Sequence, residues 1–154
     1  MIVLRRVYDG VAGHFVVRAT EWIMLWPAFG LWAVLQLNPD MFATSPSFAV
    51  LEDWGDETTW SWFLAGSGLA RLFALTINGT FRGFVFSPHI RAAASLIGTG
   101  VWSQVSLGFF IAWLTVGGAP SGVIAFAWST MVLLEIVNTH RSWSDVGKQG
   151  MEFS

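Results

Sequence analysis

Apolar residues in this chain gather into four long runs separated by short polar stretches, and the runs set the expected elements. The stretch from Trp60 to Thr80, WSWFLAGSGLARLFALTINGT, is mostly apolar with one arginine near its middle. At about 1.5 Å of rise per residue, roughly 20 residues match a hydrocarbon core of about 30 Å. The other spans are expected at residues 22–37, 92–116 and 121–139. Pro27 predicts a kink in the first, which is slightly short. Upstream, Leu4, Tyr8, Val11, Phe15 and Trp22 recur at helical spacing, with Arg5, Arg6, Asp9, His14, Arg18 and Glu21 mostly on other faces. That pattern fits a short amphipathic helix in the membrane interface, or equally an overhang of the first span.

The connections carry their own signals. Asn38-Pro39-Asp40 is a turn, and Ser45-Pro46 reads as a cap and first-turn proline opening a short helix that stops at Gly55. Asp56 or Thr58 caps the second span, Ser87-Pro88 opens the third, and Gly117-Gly118-Ala119-Pro120 makes a tight hairpin into the fourth. Residues 146–154 are expected to be loose.

Composition agrees with the pattern. The chain is 54% hydrophobic and 12% charged, with a mean hydropathy of +0.57, against about 25% charged residues in soluble domains. The expected fold is all-α: one membrane domain, an integral bundle of four transmembrane helices with a short N-terminal amphipathic helix. The spans and loops leave no room for a soluble catalytic domain of about 50 residues or more. Nucleophile motifs, glycine-rich phosphate loops and paired catalytic carboxylates are absent from the sequence, so no enzyme activity is expected. The lack of cysteine removes disulfides and thiolate chemistry.

Charge placement sets the expected topology. Arg5, Arg6, Arg18, Arg82, Arg91, Arg141 and Lys148 fall on the face shared by the N terminus, second loop and C terminus, while the loop after the first span has only acids. By the positive-inside rule both termini are cytoplasmic.

Candidate chemistry lies in the polar positions within the spans. Ser67, Ala70, Arg71, Ala74 and Asn78 form one stripe, Ser95, Thr99, Ser103 and Ser106 another, and the fourth span offers Glu135. Glu135 is expected about 6 Å and Arg71 about 12 Å from the cytoplasmic ends of their helices, a gap a long arginine can bridge. One reading makes Ser67, Arg71, Asn78, Thr99, Ser103 and Glu135 a polar seam that lines a water path when subunits rearrange. A plainer reading has Arg71 and Glu135 neutralise one another while hydroxyls bond to their own helices. In the outer loop, Glu52, Asp53, Asp56 and Glu57 form a solvated face and a contact surface for a protein partner. His14, His89 and His140 share no helix at ligand spacing, so no metal or cofactor is expected.

The run Asp40-Met41-Phe42-Ala43-Thr44-Ser45-Pro46-Ser47-Phe48, followed by Leu69-Ala70-Arg71-Leu72 and Ile77-Asn78-Gly79 in a tryptophan-flanked span, resembles the small four-span membrane proteins of tailed bacteriophages and prophages. The resemblance spans roughly residues 20–140. It implies a phage-encoded protein of the bacterial inner membrane, sometimes grouped with holin-like proteins, although this chain lacks their strongly basic C-terminal tail. The expected partners are the lipid bilayer, further copies of the chain and a protein met through the outer loop, with no nucleic acid. Holin-like permeabilisation by oligomerising helices is the leading expectation. A membrane-resident interaction or anchoring protein, for example in superinfection exclusion, is the alternative. A transport or redox subunit is a third.

Overall fold

The computed structural model describes residues 15–80 and 86–152, with side chains described for 15–77 and 86–147. The elements are α1 (Ala19–Ile23), α2 (Leu25–Leu37), α3 (Met41–Thr44), a 3-10 turn (Pro46–Phe48), α4 (Ala49–Trp54), α5 (Glu57–Thr80), α6 (Ser87–Thr115) and α7 (Ala119–Glu152). Among the described residues there is no strand, so the fold is all-helical.

Two helices, Ser87–Thr115 and Ala119–Gly147, are long and apolar enough to cross a membrane. Four were expected to be, and the physical reasons for the difference lie in the other two. The 22–37 region is divided at Met24, because Pro27 has no N–H to offer the carbonyl of Ile23. On the far side of that break, α2 has only 13 residues. Helix α5 has 24 residues, but Glu57, Arg71 and its serines, threonines and glycines dilute its apolar character.

The pairing of α6 with α7 is the most extensive in the fold; α2 packs on α5, and α5 on α6. On α6 the buried stripe runs Arg91, Ser95, Gly98, Trp102, Val105, Phe109 and Ala112, alternating steps of four and three residues. On α7 it runs Ser121, Ala125, Trp128, Val132, Glu135, Asn138, Ser142 and Asp145, all buried or half-buried. This spacing keeps one seam of each helix facing its neighbour, as in a coiled coil. Gly117 and Gly118, at φ of 83° and 104°, turn the chain between the two helices in a region open to glycine.

At the hairpin end the seam is apolar. Phe48 meets Phe109 edge-on at 4.9 Å and stacks on Phe42 at 5.1 Å. Trp60 donates its indole N–H to the Leu51 carbonyl at 2.9 Å, and Ser47 and Ser121 share a hydrogen bond of 2.9 Å. Leu51 lies over Gly108, where a Cβ would come within 2.8 Å of its Cγ. The segment from α3 to α4 thus forms an apolar plug over this end.

Other expectations change. Ser45 makes no side-chain cap bond, and α3 is an additional turn of helix. Trp26 is 84% exposed, whereas Trp102 is buried and stacks on Trp128 at 5.2 Å. Instead of loosening at 146, α7 continues to Glu152, because Ser142 and Asp145 still face the protein interior. Most of the expected N-terminal amphipathic helix, with His14, lies outside the described residues.

Candidate functional site

At the end opposite the plug, the same seam turns polar and holds two buried ionic groups. In the first, Arg71 of α5 donates from Nη2 to Oε2 of Glu135 on α7, with the two side chains 3% and 1% exposed. Gly98 of α6 makes this geometry fit. A Cβ there would stand 2.7 Å from the Glu135 carboxyl carbon and 3.2 Å from Arg71 Nη2. The pair therefore joins α5 to α7 across a gap that only a glycine leaves open.

The second group lies nearer the chain end of α7. Arg91 donates from Nε to Glu21 Oε2 at 3.0 Å, from Nη2 to Glu21 Oε1 at 2.5 Å and from Nη1 to Asp145 Oδ2 at 3.0 Å. Arg18 reaches the same two acids at 3.3 Å each. Two arginines and two carboxylates alternate, so no charge in the cluster is left without its opposite. Charge-assisted bonds of this kind are the strong class, and the planar Arg91 fork suits paired acceptors. Arg141 ties the segment before α1 to α7 by donating to the Val17 carbonyl at 2.6 Å and to Thr20 Oγ1 at 3.4 Å. Thr20 donates in turn to Asn138 Oδ1 at 2.7 Å.

The seam residues expected from sequence separate into groups. Arg71 and Glu135 meet, and Ser67 is buried on α5. Asn78 lies within α5, its side chain outside the described residues. Thr99 bonds back to the Ser95 carbonyl at 2.9 Å. Ser103 is half-buried in an open groove with Ser106, Phe110, Phe126 and Ser129. Farther along α6, toward the plug, the interior holds Trp102, Val105 and Phe109, so the polar positions do not form one continuous line through the molecule.

Two of the four acids from Glu52 to Glu57 serve the backbone locally. Asp56 caps α5, accepting the Thr59 N–H at 2.7 Å, and these bonds from Thr59 hold its carboxyl below the ordinary value of 3.8. Glu57 accepts the Phe42 N–H at 2.7 Å, while Glu52 and Asp53 point away, exposed on α4. His89 and His140 are exposed, and no metal-binding cluster of acids and histidines occurs among the described residues.

Sequence reasoning misses the four-membered cluster of Arg18, Glu21, Arg91 and Asp145. The signal is present as spacing: Arg91, Ser95 and Gly98 on one helix, and Asn138, Ser142 and Asp145 on the next, each share one face. By pattern alone Arg91 falls in a loop and Glu21 on a solvated face. No protein-family model, characterised relative or solved structure matches the chain.

Proposed function

We propose that the chain is a non-enzymatic multi-pass protein of the bacterial inner membrane, phage-encoded in type, that permeabilises the membrane in a holin-like manner when its helices rearrange in an oligomer. The observation that carries this reading is the buried Arg71–Glu135 pair bridging α5 and α7 over Gly98. A buried ion pair is a poor stabiliser, since well-packed apolar residues of similar volume serve as well or better. It is a good specifier of one arrangement, because separating the partners leaves two charges that need water. In lipid such a pair acts as a latch: closed, it is neutral and holds α5 against α7; opened, it lets water through the gap.

The outward surface supports a membrane setting. Leu96, Ile97, Leu107 and Leu114 on α6, and Val123, Phe126, Leu133, Ile136 and Val137 on α7, are all exposed. Apolar area on this scale suits lipid better than water. For four spans, residues 19–37 together rise about 28 Å and α5 about 36 Å. Arg71 turns inward to Glu135, so α5 need not present it to hydrocarbon. The arginine-rich end belongs in the cytoplasm.

The test is inducible expression in a bacterium, following membrane potential and release of a cytoplasmic marker. Wild type should collapse the potential abruptly after a lag. Arg71→Leu/Glu135→Leu, expressed and inserted equally, should stay closed, and leakage equal to wild type would remove the pair from the mechanism. Cells that keep their potential at high expression would point to the second reading. That reading is a membrane-resident protein that binds a partner through exposed Glu52, Asp53 and Trp54 on α4. Charge reversal at Glu52 and Asp53 would then abolish capture without disturbing Leu51 beneath.

A further inference from the structure

Between the two ionic groups lies a layer with unfinished hydrogen bonding. Arg91 touches Asp145 at one edge, and Gly98 lies against Glu135 at the other, seven residues or about 10 Å along α6. Ser95 sits between these contacts on α6, and Asn138 and Ser142 sit between them on α7. All three are fully buried. Among the described residues Ser95 Oγ and Ser142 Oγ have no hydrogen-bond partner, and Asn138 Nδ2 faces Glu135 without hydrogen-bond geometry. Arg18 Nε, in the ionic cluster, also lacks a partner among the described residues.

Orphaned groups at this density are rare in folded proteins, where nearly all buried polar atoms find a partner in protein or water. One such hydroxyl is a local accident. Several on facing helix stripes, flanked by charges, define a site, and its natural occupant is water, which donates and accepts and typically makes about three bonds in such places. One edge of the layer meets solvent: Asp145 keeps 34% of its side chain exposed while Arg91 is sealed. At the far edge Trp102, Val105 and Phe109 close the seam.

We infer that Ser95, Asn138 and Ser142 bind a short file of internal waters, forming a blind vestibule that brings aqueous contact from Asp145 to Glu135 and ends at Trp102. The vestibule belongs to the closed molecule and does not depend on permeabilisation. It supplies the first waters that the Arg71–Glu135 pair meets, and makes the pair wettable from one end only.

The absence of cysteine makes a direct test available. Full-length Ser95→Cys, Ser142→Cys and Ala112→Cys proteins, each in lipid vesicles, are transferred to heavy water, and exchange of the single thiol S–H for S–D is followed by infrared absorption. Ala112 is equally buried but lies in the apolar half. Both seam thiols should exchange at least tenfold faster than the Ala112→Cys thiol. Equal, slow exchange at all three positions overturns the vestibule. Should the Ser95 variant fail to fold, Ser142→Cys carries the test alone. Thermal unfolding of Ser142→Ala gives an independent sign: a hydrated hydroxyl lowers the midpoint when removed, whereas a dry orphan raises it, which also overturns the proposal. Exchange that tracks chloride concentration would assign the layer to an anion instead of water, and so refute it.

Discussion

Glu135 has one neighbour that costs the helix and one that must give up its water, and both are tolerated for the same reason. Gly98 lowers the intrinsic stability of α6, and Arg71 is a charge taken out of water, yet together they let two charges meet. Gly98→Ala should therefore destabilise by about 1–3 kcal/mol, since its methyl group enters space held by the Glu135 carboxyl. Gly100→Ala, where a Cβ meets nothing within 4 Å, should be neutral or stabilising by up to about 1 kcal/mol. Denaturant titrations of the two variants in one detergent would decide this, and equal effects would mean that the pair yields freely. Glu135→Gln leaves Arg71 buried without its counter-ion and should cost about 3–5 kcal/mol. Replacing both partners by leucine should recover most of that loss, a non-additivity that a double-mutant cycle measures directly.

Helices in this molecule are started and stopped by local chemistry but positioned by what they bury. Helix α5 begins where Asp56 accepts the Thr59 N–H, a bond that the folded helix end holds in place. Because the folded carboxyl titrates below its ordinary value of 3.8, its ionic contribution is complete above that value and is lost as pH falls through the lower folded value. The stability advantage of wild type over Asp56→Ala should thus be flat from neutrality down to the ordinary carboxylate range and shrink only in stronger acid. An advantage that instead grew on acidification would contradict the cap. Met24 shows the complementary case, in which Pro27 breaks the hydrogen-bond ladder and makes two helices of one apolar run.

On the scale of the whole molecule, one seam carries two opposite environments. Its plugged end is aromatic and aliphatic, its other end ionic, and α6 and α7 span both. Thr58 and Gly118 lie toward the plug, and Gly147 lies beyond Asp145 at the other end. Single cysteines at these positions should react with an impermeant thiol reagent from opposite sides of intact cells: Thr58 and Gly118 from outside, Gly147 only after the cytoplasm is opened. Labelling of Thr58 and Gly118 from different sides would exclude α5 as a span and leave the hairpin of α6 and α7 alone in the membrane.

Helical class, the hairpin at Gly117, the cap before α5 and the apolar character of α6 and α7 were all legible in the sequence, because each depends on neighbours within a few residues. The nearness of Arg71 to Glu135 was legible as reach along two helices, though not the glycine on a third that makes room for it. What the chain alone concealed was the company of Arg18, Glu21, Arg91 and Asp145. Three of those side chains looked like ordinary surface or interfacial charges, and nothing local distinguishes a solvated arginine from one sealed against a carboxylate 70 positions away. Burial is a property of the packed helices, and so is the division of the serine and threonine stripe into an interior layer at Ser95 and an open groove at Ser103. Sequence determined which segments would be helical and which faces would carry polar groups; tertiary packing decided which of those groups meet, because their partners lie on helices far apart along the chain.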